Sequence, residues 1–376
     1  MIRKVGLYCI NAFCIFFGLI SCAGLPSNIA ENSFKIKYLD ESVIYNDSIF
    51  SESRIGGLSG IEYHKEQDTY YIVCDDPKNP RFYNASISLK KKKIHTITIN
   101  QLVKIKDQKN QFLNDNVADL EALRILGKNK LIFTSEGAIK HNHDPSIFIT
   151  DITGNYQSKF KLPSYFLTDT TSNNKPRHNG VFEGLVNDVN NKGYWAAMEL
   201  PLELDGEEPT VKDPGAPVRV THFTTNTGQA DFQFTYKLDK LAKDPKKKFG
   251  VNGVTGLLQL NKNQFLIIER GYAAGYGTQG NTVRIYLSNI KEATNTLDFE
   301  SLQNKEYIAA TKRLLFDFES IRHQLTDRIV DNIEGITFGP KLANGNQSLI
   351  LISDNNFNPV SEQINQVILL ELVKTQ

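Results

Sequence analysis

Short apolar runs alternate with turn-forming polar stretches along this chain, and the three-to-four-residue periodicity of helices is sparse. The stretch "IEGITFGPKLANGNQSLILISDN", Ile333 to Asn355, shows the repeating unit: an acid beside a glycine opens a short apolar strand, a polar turn follows, and a second apolar strand ends in a carboxylate. The same unit recurs as "LSGIEYHKEQDTYYIVCDDP" from Leu58, "DLEALRILGKNKLIFTSEG" from Asp119, "FEGLVNDVNNKGYWAAMELP" from Phe182 and "VTGLLQLNKNQFLIIERG" from Val254. Two strands of about six residues joined by a polar turn predict a β-hairpin.

From start to terminal acid the unit measures 15 residues for Gly60 to Asp75, 15 for Glu121 to Glu136, 16 for Glu183 to Glu199, 14 for Thr255 to Glu269 and 20 for Glu334 to Asp354. Successive units start 61, 62, 72 and 79 residues apart, and the intervals hold further strand-like runs such as "SIFITDITG", "VRVTHFTT" and "TVRIYLSNI". A four-stranded sheet with long loops fits each interval, and radial repetition of such sheets closes the chain economically. The expected fold is therefore all-β, a single β-propeller domain of six or seven blades with long inter-strand loops. A large β-sandwich or barrel is the alternative; a two-domain α/β enzyme is disfavoured because strands do not alternate with long helices. The best helical candidate is Glu319 to Val330, where Ile321, Leu325 and Ile329 recur every fourth residue.

Composition changes this picture mainly at the amino terminus. Arg3 and Lys4 precede an apolar stretch from Val5 to Ile20, and "LISC" at Leu19 to Cys22 resembles the bacterial lipobox. The expected organisation is a lipoprotein signal peptide over 1–21, a tether over 22–33 after a lipidated Cys22, and the propeller over 34–376. The implied location is the cell envelope, outer membrane, periplasmic or surface-exposed, with the membrane met only through the lipid. Of four cysteines the mature domain keeps only Cys74, inside "YYIVCDD", so no intramolecular disulfide is expected and burial is the expected role. The net charge of +1 gives no global field for nucleic acid, and a monomer is expected.

Equivalent residues of a propeller sit at equivalent radii, so the terminal acids should gather at one mouth: Asp75 or Asp76, Glu136, Glu199, Glu269 and Asp354. Glu121, Glu183 and Glu334 lie at the neighbouring strand starts and are expected to lock blades together. Crowded carboxylates need cations, arginines or raised pKa values to coexist. Asp76, Glu136, Glu199 and Asp354 are candidate ligands for a hard cation such as Ca²⁺, which takes six to eight oxygens. Arg81 and Arg270 follow acids and Arg177 precedes "HNGVFEG"; a guanidinium can grip a carboxylate or phosphate with paired hydrogen bonds. Glu269, Arg270, Glu199 and Glu136 are the catalytic candidates, with Arg81, Arg177, His178 and Asn355 for substrate.

Other motifs are weaker. Residues 57–61 are not a G-x-S-x-G nucleophile elbow, because Ile61 stands where the last glycine belongs. His141 and His143 read as a loop, "LKKKKIH" from Leu89 as a solvated turn, "GYAAGYGTQG" from Gly271 as a loop at the mouth, and Leu202 to Pro217 as a surface loop overhanging it.

The segments "NGVFEGLVND", "YWAAMELPL", "NQFLIIERG" and "DNIEGITFGPKLANGNQSLILISDNNFNP" closely resemble the motifs of the phytase-like family, described by its esterase-like activity of phytase. The resemblance runs from about Gly56 to the carboxyl terminus. It implies a propeller in a secreted or lipid-anchored bacterial protein, and hydrolysis of phosphate monoesters at an acid-rich mouth with calcium. A non-catalytic binding propeller and a carboxyl-ester hydrolase are the competing readings.

Overall fold

The computed structural model describes residues 33–375 apart from 46, 114–116, 169–170, 213–214 and 359–362. Strand β1 (Ser33–Ile44) is followed by a minor hairpin of β2 (Ile49–Phe50) and β3 (Ser53–Arg54). The first blade holds β4 (Leu58–His64), β5 (Thr69–Cys74), β6 (Arg81–Lys90) and β7 (Lys93–Lys104). The second holds β8 (Leu120–Leu126), β9 (Lys130–Ser135), β10 (Ser146–Asp151) and β11 (Tyr156–Lys159). The third holds β12 (Phe182–Asn187), β13 (Gly193–Met198), β14 (Pro217–Thr224) and β15 (Gln229–Lys237). The fourth holds β16 (Gly250–Gln259), β17 (Gln264–Ala273), β18 (Asn281–Asn289) and β19 (Thr311–Asp317). The fifth is built from β20 (Asn332–Lys341), β21 (Gln347–Asp354), β22 (Asn365–Thr375) and, as its outer strand, β1.

The fold is thus a propeller of five blades, not the six or seven expected. Each hairpin unit supplies the two inner strands of one blade, so the number of units is the number of blades. The longer intervals are taken up by loops. Strand β1 pairs antiparallel with β22 from Ser33 opposite Thr375 to Ile44 opposite Asn365, which joins the first and last described strands and closes the ring. Apolar side chains fill the seams between blades. Trp195 of the third blade, for example, lies 5.2 Å from Phe265 of the fourth and 5.5 Å from Phe234.

Cys74 is buried and free, its thiol donating to Gly56 O at 3.0 Å. The expected helix near Glu319 is instead two 3₁₀ segments, Phe318–Gln324 and Thr326–Arg328. Asp327 and Arg328 adopt left-handed backbone, which ends the coil, yet Ile321, Leu325 and Ile329 are all buried as the periodicity requires. The lysine run turns in two left-handed residues, Lys91 and Lys92, between β6 and β7.

Candidate functional site

In all five blades the innermost strand slips register by an extra residue against the second strand: between Leu58 and Gly60, Leu120 and Leu123, Phe182 and Gly184, Val254 and Gly256, and Ile333 and Gly335. A β-bulge bends its strand and re-aims one side chain. Here the re-aimed positions are Ser59, Glu121, Glu183, Thr255 and Glu334, one per blade. The following residue is glycine in four blades, because the inner strands converge there. A Cβ on Gly60 would lie 2.7 Å from Glu121 O, and one on Gly256 would lie 2.6 Å from Glu334 O.

The second strands supply another ring. Cys74, Ser135, Met198, Glu269 and Ser353 pair with the residue just before each bulge. The next residues, Asp75, Glu136, Glu199, Arg270 and Asp354, are therefore equivalent. Asp119 reaches the same place from the start of the second blade, where its carbonyl accepts Glu136 N at 2.9 Å.

Asp75, Glu121, Glu183, Glu199, Arg270, Glu334 and Asp354 of these rings line a cavity of about 600 Å³, together with His178 and Tyr272. Ligand-capable oxygens within 4.8 Å of one another form three sets: Asp75, Asp119 and Glu121; Glu121, Glu183 and Glu334; and Glu136, Glu183 and Glu199. Glu121 and Glu183 each belong to two sets, so the acids form one continuous arc.

Among the described residues Arg270 brings the only guanidinium to this cavity, its Nη2 lying 3.2 Å from Glu334 Oε1 and 3.4 Å from Glu199 Oε1. Burial alone would lower the Arg270 pKa, but the surrounding Glu199 and Glu334 carboxylates raise it. One cation cannot neutralise the arc. Burial, then repulsion from Glu199 and Glu334, pushes the Glu183 carboxyl well above the ordinary range. Burial, reinforced by Asp354, does the same to Glu334. Glu136 is pushed up to about 8 by burial and by Glu199, and Asp354 to about 7 by burial. Glu183 Oε2 is buried without a hydrogen-bond partner, as are Asp75 Oδ1, Asp119 Oδ1 and Arg270 Nε. Buried polar atoms left this way cost stability unless something fills the site.

Several expected site residues stand elsewhere. Glu269, taken as catalytic, does not line the cavity. In its hairpin the acid stands one residue before the inward position that acids occupy in the other four, so Arg270 faces the cavity and Glu269 the opposite face of β17. There it accepts from Tyr236 Oη at 2.6 Å, Asp239 N at 2.9 Å and Asn252 Nδ2 at 2.8 Å, and pairs with Lys312. Arg81, expected to grip substrate, is 1 % exposed and spends its donors on Asp76 at 2.6 Å, Asn79 O and Tyr83 Oη, which also removes Asp76 from the cavity. Arg177 ties down the overhanging loop through Pro201 O at 3.1 Å and Gly206 O at 2.9 Å. Asn355 accepts from Gly57 N at 3.0 Å and Phe357 N at 3.2 Å, a link between the first and fifth blades.

The expected locks are placed the other way round. Glu121, Glu183 and Glu334 face the cavity, while the equivalent Ser59 and Thr255 do the locking, donating at 3.1 Å to Leu120 O and Ile333 O of the next blades. Glu136 does both, since Oε1 accepts from Val181 N in the third blade while its carboxylate belongs to the third set. Glu199, Arg270 and Asp354 are where they were expected, and His178 sits exposed at the rim. Cys22 lies outside the described residues.

Asp75, Asp119 and Glu121 carried a legible signal, because each stands one or two positions from a hairpin start or end. The long loop of the third blade hides a further pair that sequence reading missed: Asp205 and Arg219 are both fully buried and paired at 2.6 Å.

A family model described as phytase-like, esterase-like activity of phytase, matches residues 53–357. No match is found among curated proteins. Among solved structures the chain is similar to an endo-arabinase from Bacteroides thetaiotaomicron VPI-5482, with 12 % identity over 86 % of this chain and 95 % of that chain at a TM-score of 0.45. It is similar also to a thermostable family-43 glycoside hydrolase, with 7 % identity over 87 % of this chain and 92 % of that chain at a TM-score of 0.46. Similarity at this level carries nothing about substrate.

Proposed function

Since the chain belongs to the phytase-like family, we propose that it is a hydrolase of phosphate esters whose acidic cavity works with divalent cations, calcium being the first candidate. The observation that carries this reading is the arc of three carboxylate sets that share Glu121 and Glu183, with Glu183 Oε2 buried and unpartnered. The donors are all carboxylate oxygens, without cysteine or histidine, which suits a hard cation. Asp75, Asp119, Glu121, Glu136, Glu183, Glu199 and Glu334 would hold it. Bound there, such a cation would offset the charge of a phosphoryl group and acidify a water molecule.

The chain's own residues do the rest. Arg270 stands between Glu199 and Glu334 with its Nε free of protein partners, so it can turn a donor toward a phosphoryl oxygen on which charge develops. Glu199 and Glu334 hold that guanidinium in place. His178, Tyr272 and Phe249 border the entrance and would meet the organic part of the ester. The amino-terminal layout supports an envelope location with the lipid on Cys22, and the balanced charge supports a function without nucleic-acid binding.

Protein spanning residues 33–376, assayed on phytate and on p-nitrophenyl phosphate, should release phosphate in calcium and lose that activity in chelator. Turnover of p-nitrophenyl acetate in chelator, without phosphate release in calcium, would replace this reading with a carboxyl esterase. Inactivity on all three, with a melting temperature indifferent to chelator, would leave a binding propeller.

A further inference from the structure

Each blade joins its two inner strands by a turn at the end of the ring away from the acidic cavity, because the cavity is lined from the opposite ends of the same strands. All five of these turns present exposed lysine: Lys65, Lys128 with Lys130, Lys192, Lys262 and Lys341. The outer turn of the first blade adds Lys90, Lys91 and Lys93, exposed at the same end. Among the described residues none of these lysines makes an ion pair; Lys92, which does, is tied to Glu371 at 3.2 Å. Against them the inner turns expose two acids, Glu66 and Asp68, while Asp188 is buried and held by Asn190 N at 2.9 Å, Lys192 N at 2.8 Å and His222 at 3.3 Å. A net charge of +1 thus hides acids gathered at one mouth and lysines spread around the other.

The chain enters the fold at the lysine-bearing end. Ser33, the first residue of β1, lies opposite Thr375, and Leu372 of the same strand end pairs with Gln347 at the turn of the fifth blade. Lys35 and Lys374 are exposed there as well. We propose that this end of the propeller is a docking face for an anionic lipid bilayer, which leaves the acidic cavity opening away from the membrane.

The cations in these turns are all lysine, a flexible point charge that needs no fixed partner geometry. Spread over the end of the ring, they suit a surface of mobile anionic headgroups, to which each lysine adds attraction. Cys22 precedes Ser33 by eleven residues, so a lipid there would hold to the bilayer the same end that carries the lysines. A polybasic patch is the usual second signal beside a lipid chain. The sequence alone led us to expect the membrane to be met only through the lipid; the lysine face adds a second contact. The docking does not depend on the hydrolase reading, but joined to it makes the substrate a solute rather than a lipid of the same membrane.

The test is co-sedimentation of residues 33–376, without the lipid, with vesicles of phosphatidylglycerol and phosphatidylcholine in equal parts and of phosphatidylcholine alone. Chelator is present so that no cation bridges the acidic cavity to lipid. The protein should bind the anionic vesicles, not the neutral ones, and release them as salt rises. Lys128→Glu/Lys130→Glu/Lys341→Glu should weaken binding about tenfold or more. Lys246→Glu/Lys247→Glu/Lys248→Glu changes the charge equally, but in exposed residues beside Phe249 at the acidic cavity, and should weaken binding less than about twofold. No binding to anionic vesicles, equal binding to neutral ones, equal loss in the two triple variants, or tighter binding to duplex DNA than to anionic vesicles overturns the proposal. If the first variant does not fold, Lys65→Glu/Lys192→Glu/Lys262→Glu at the same end takes its place.

Discussion

Glu183 and Glu269 are both buried glutamates of inner strands, one in the acidic cavity and one in the seam between the third and fourth blades. Their surroundings are opposite. Around Glu269 the protein brings Tyr236, Asn252, the Asp239 amide and Lys312, whose ammonium also pairs with Asp239 at 2.7 Å and lies over the rings of Tyr236 and Tyr286. Around Glu183 it brings other carboxylates, an arginine committed elsewhere, and leaves an oxygen unpartnered. A buried acid with every donor supplied is finished as structure. One that is surrounded by its own kind is arranged for something that arrives later.

The sharpest way to break this contrast is Lys312→Ala, which strips the cation from a buried pair and should cost about 3–5 kcal/mol of stability, read by urea unfolding. Glu183→Gln should do the reverse in chelator: it removes one of several repelling charges and should raise stability by about 1–2 kcal/mol, while phosphate release in calcium falls about a hundredfold or more. If Glu183→Gln destabilises as Lys312→Ala does, the two acids are alike and the contrast is wrong.

Titration sharpens it further. Glu136 rises from 4.5 to about 8 and Asp354 from 3.8 to about 7, so the folded protein binds more protons than the unfolded chain across that interval. Stability in chelator is then full below the unfolded pKa values and falls as pH rises through the folded ones. Melting temperatures measured without calcium should decline between pH 5 and 8, and a flat or rising profile would contradict the raised values. The smallest effect is expected at Thr255→Val, which loses one buried bond to Ile333 O and should cost about 1 kcal/mol, without altering phosphate release.

The hairpin units were legible because each is local: strand, turn and strand lie within 24 residues, and five units made five blades. The site was legible to the extent that equivalent residues converge, which brought Glu199, Arg270 and Asp354 to the cavity as expected. What sequence spacing hid was register. At 14 residues the unit from Thr255 to Glu269 is the shortest of the five, and that shortening is the signal that Arg270, not Glu269, faces inward. The inward placement of Glu121, Glu183 and Glu334 was not expected because a bulge, invisible in composition, turns them to the axis. Arg81 and Arg177 looked free because the groups that occupy them include backbone carbonyls, which leave no trace in side-chain pattern.

The central claim is that the acidic arc is completed by a divalent cation. Its most direct test is the melting temperature of residues 33–376 titrated with calcium after chelation, beside the Glu183→Gln variant. Calcium at about a hundred times its dissociation constant should stabilise the wild-type protein by about 2.7 kcal/mol and leave Glu183→Gln nearly unmoved. A wild-type melting temperature that ignores calcium, magnesium and manganese alike would contradict the account.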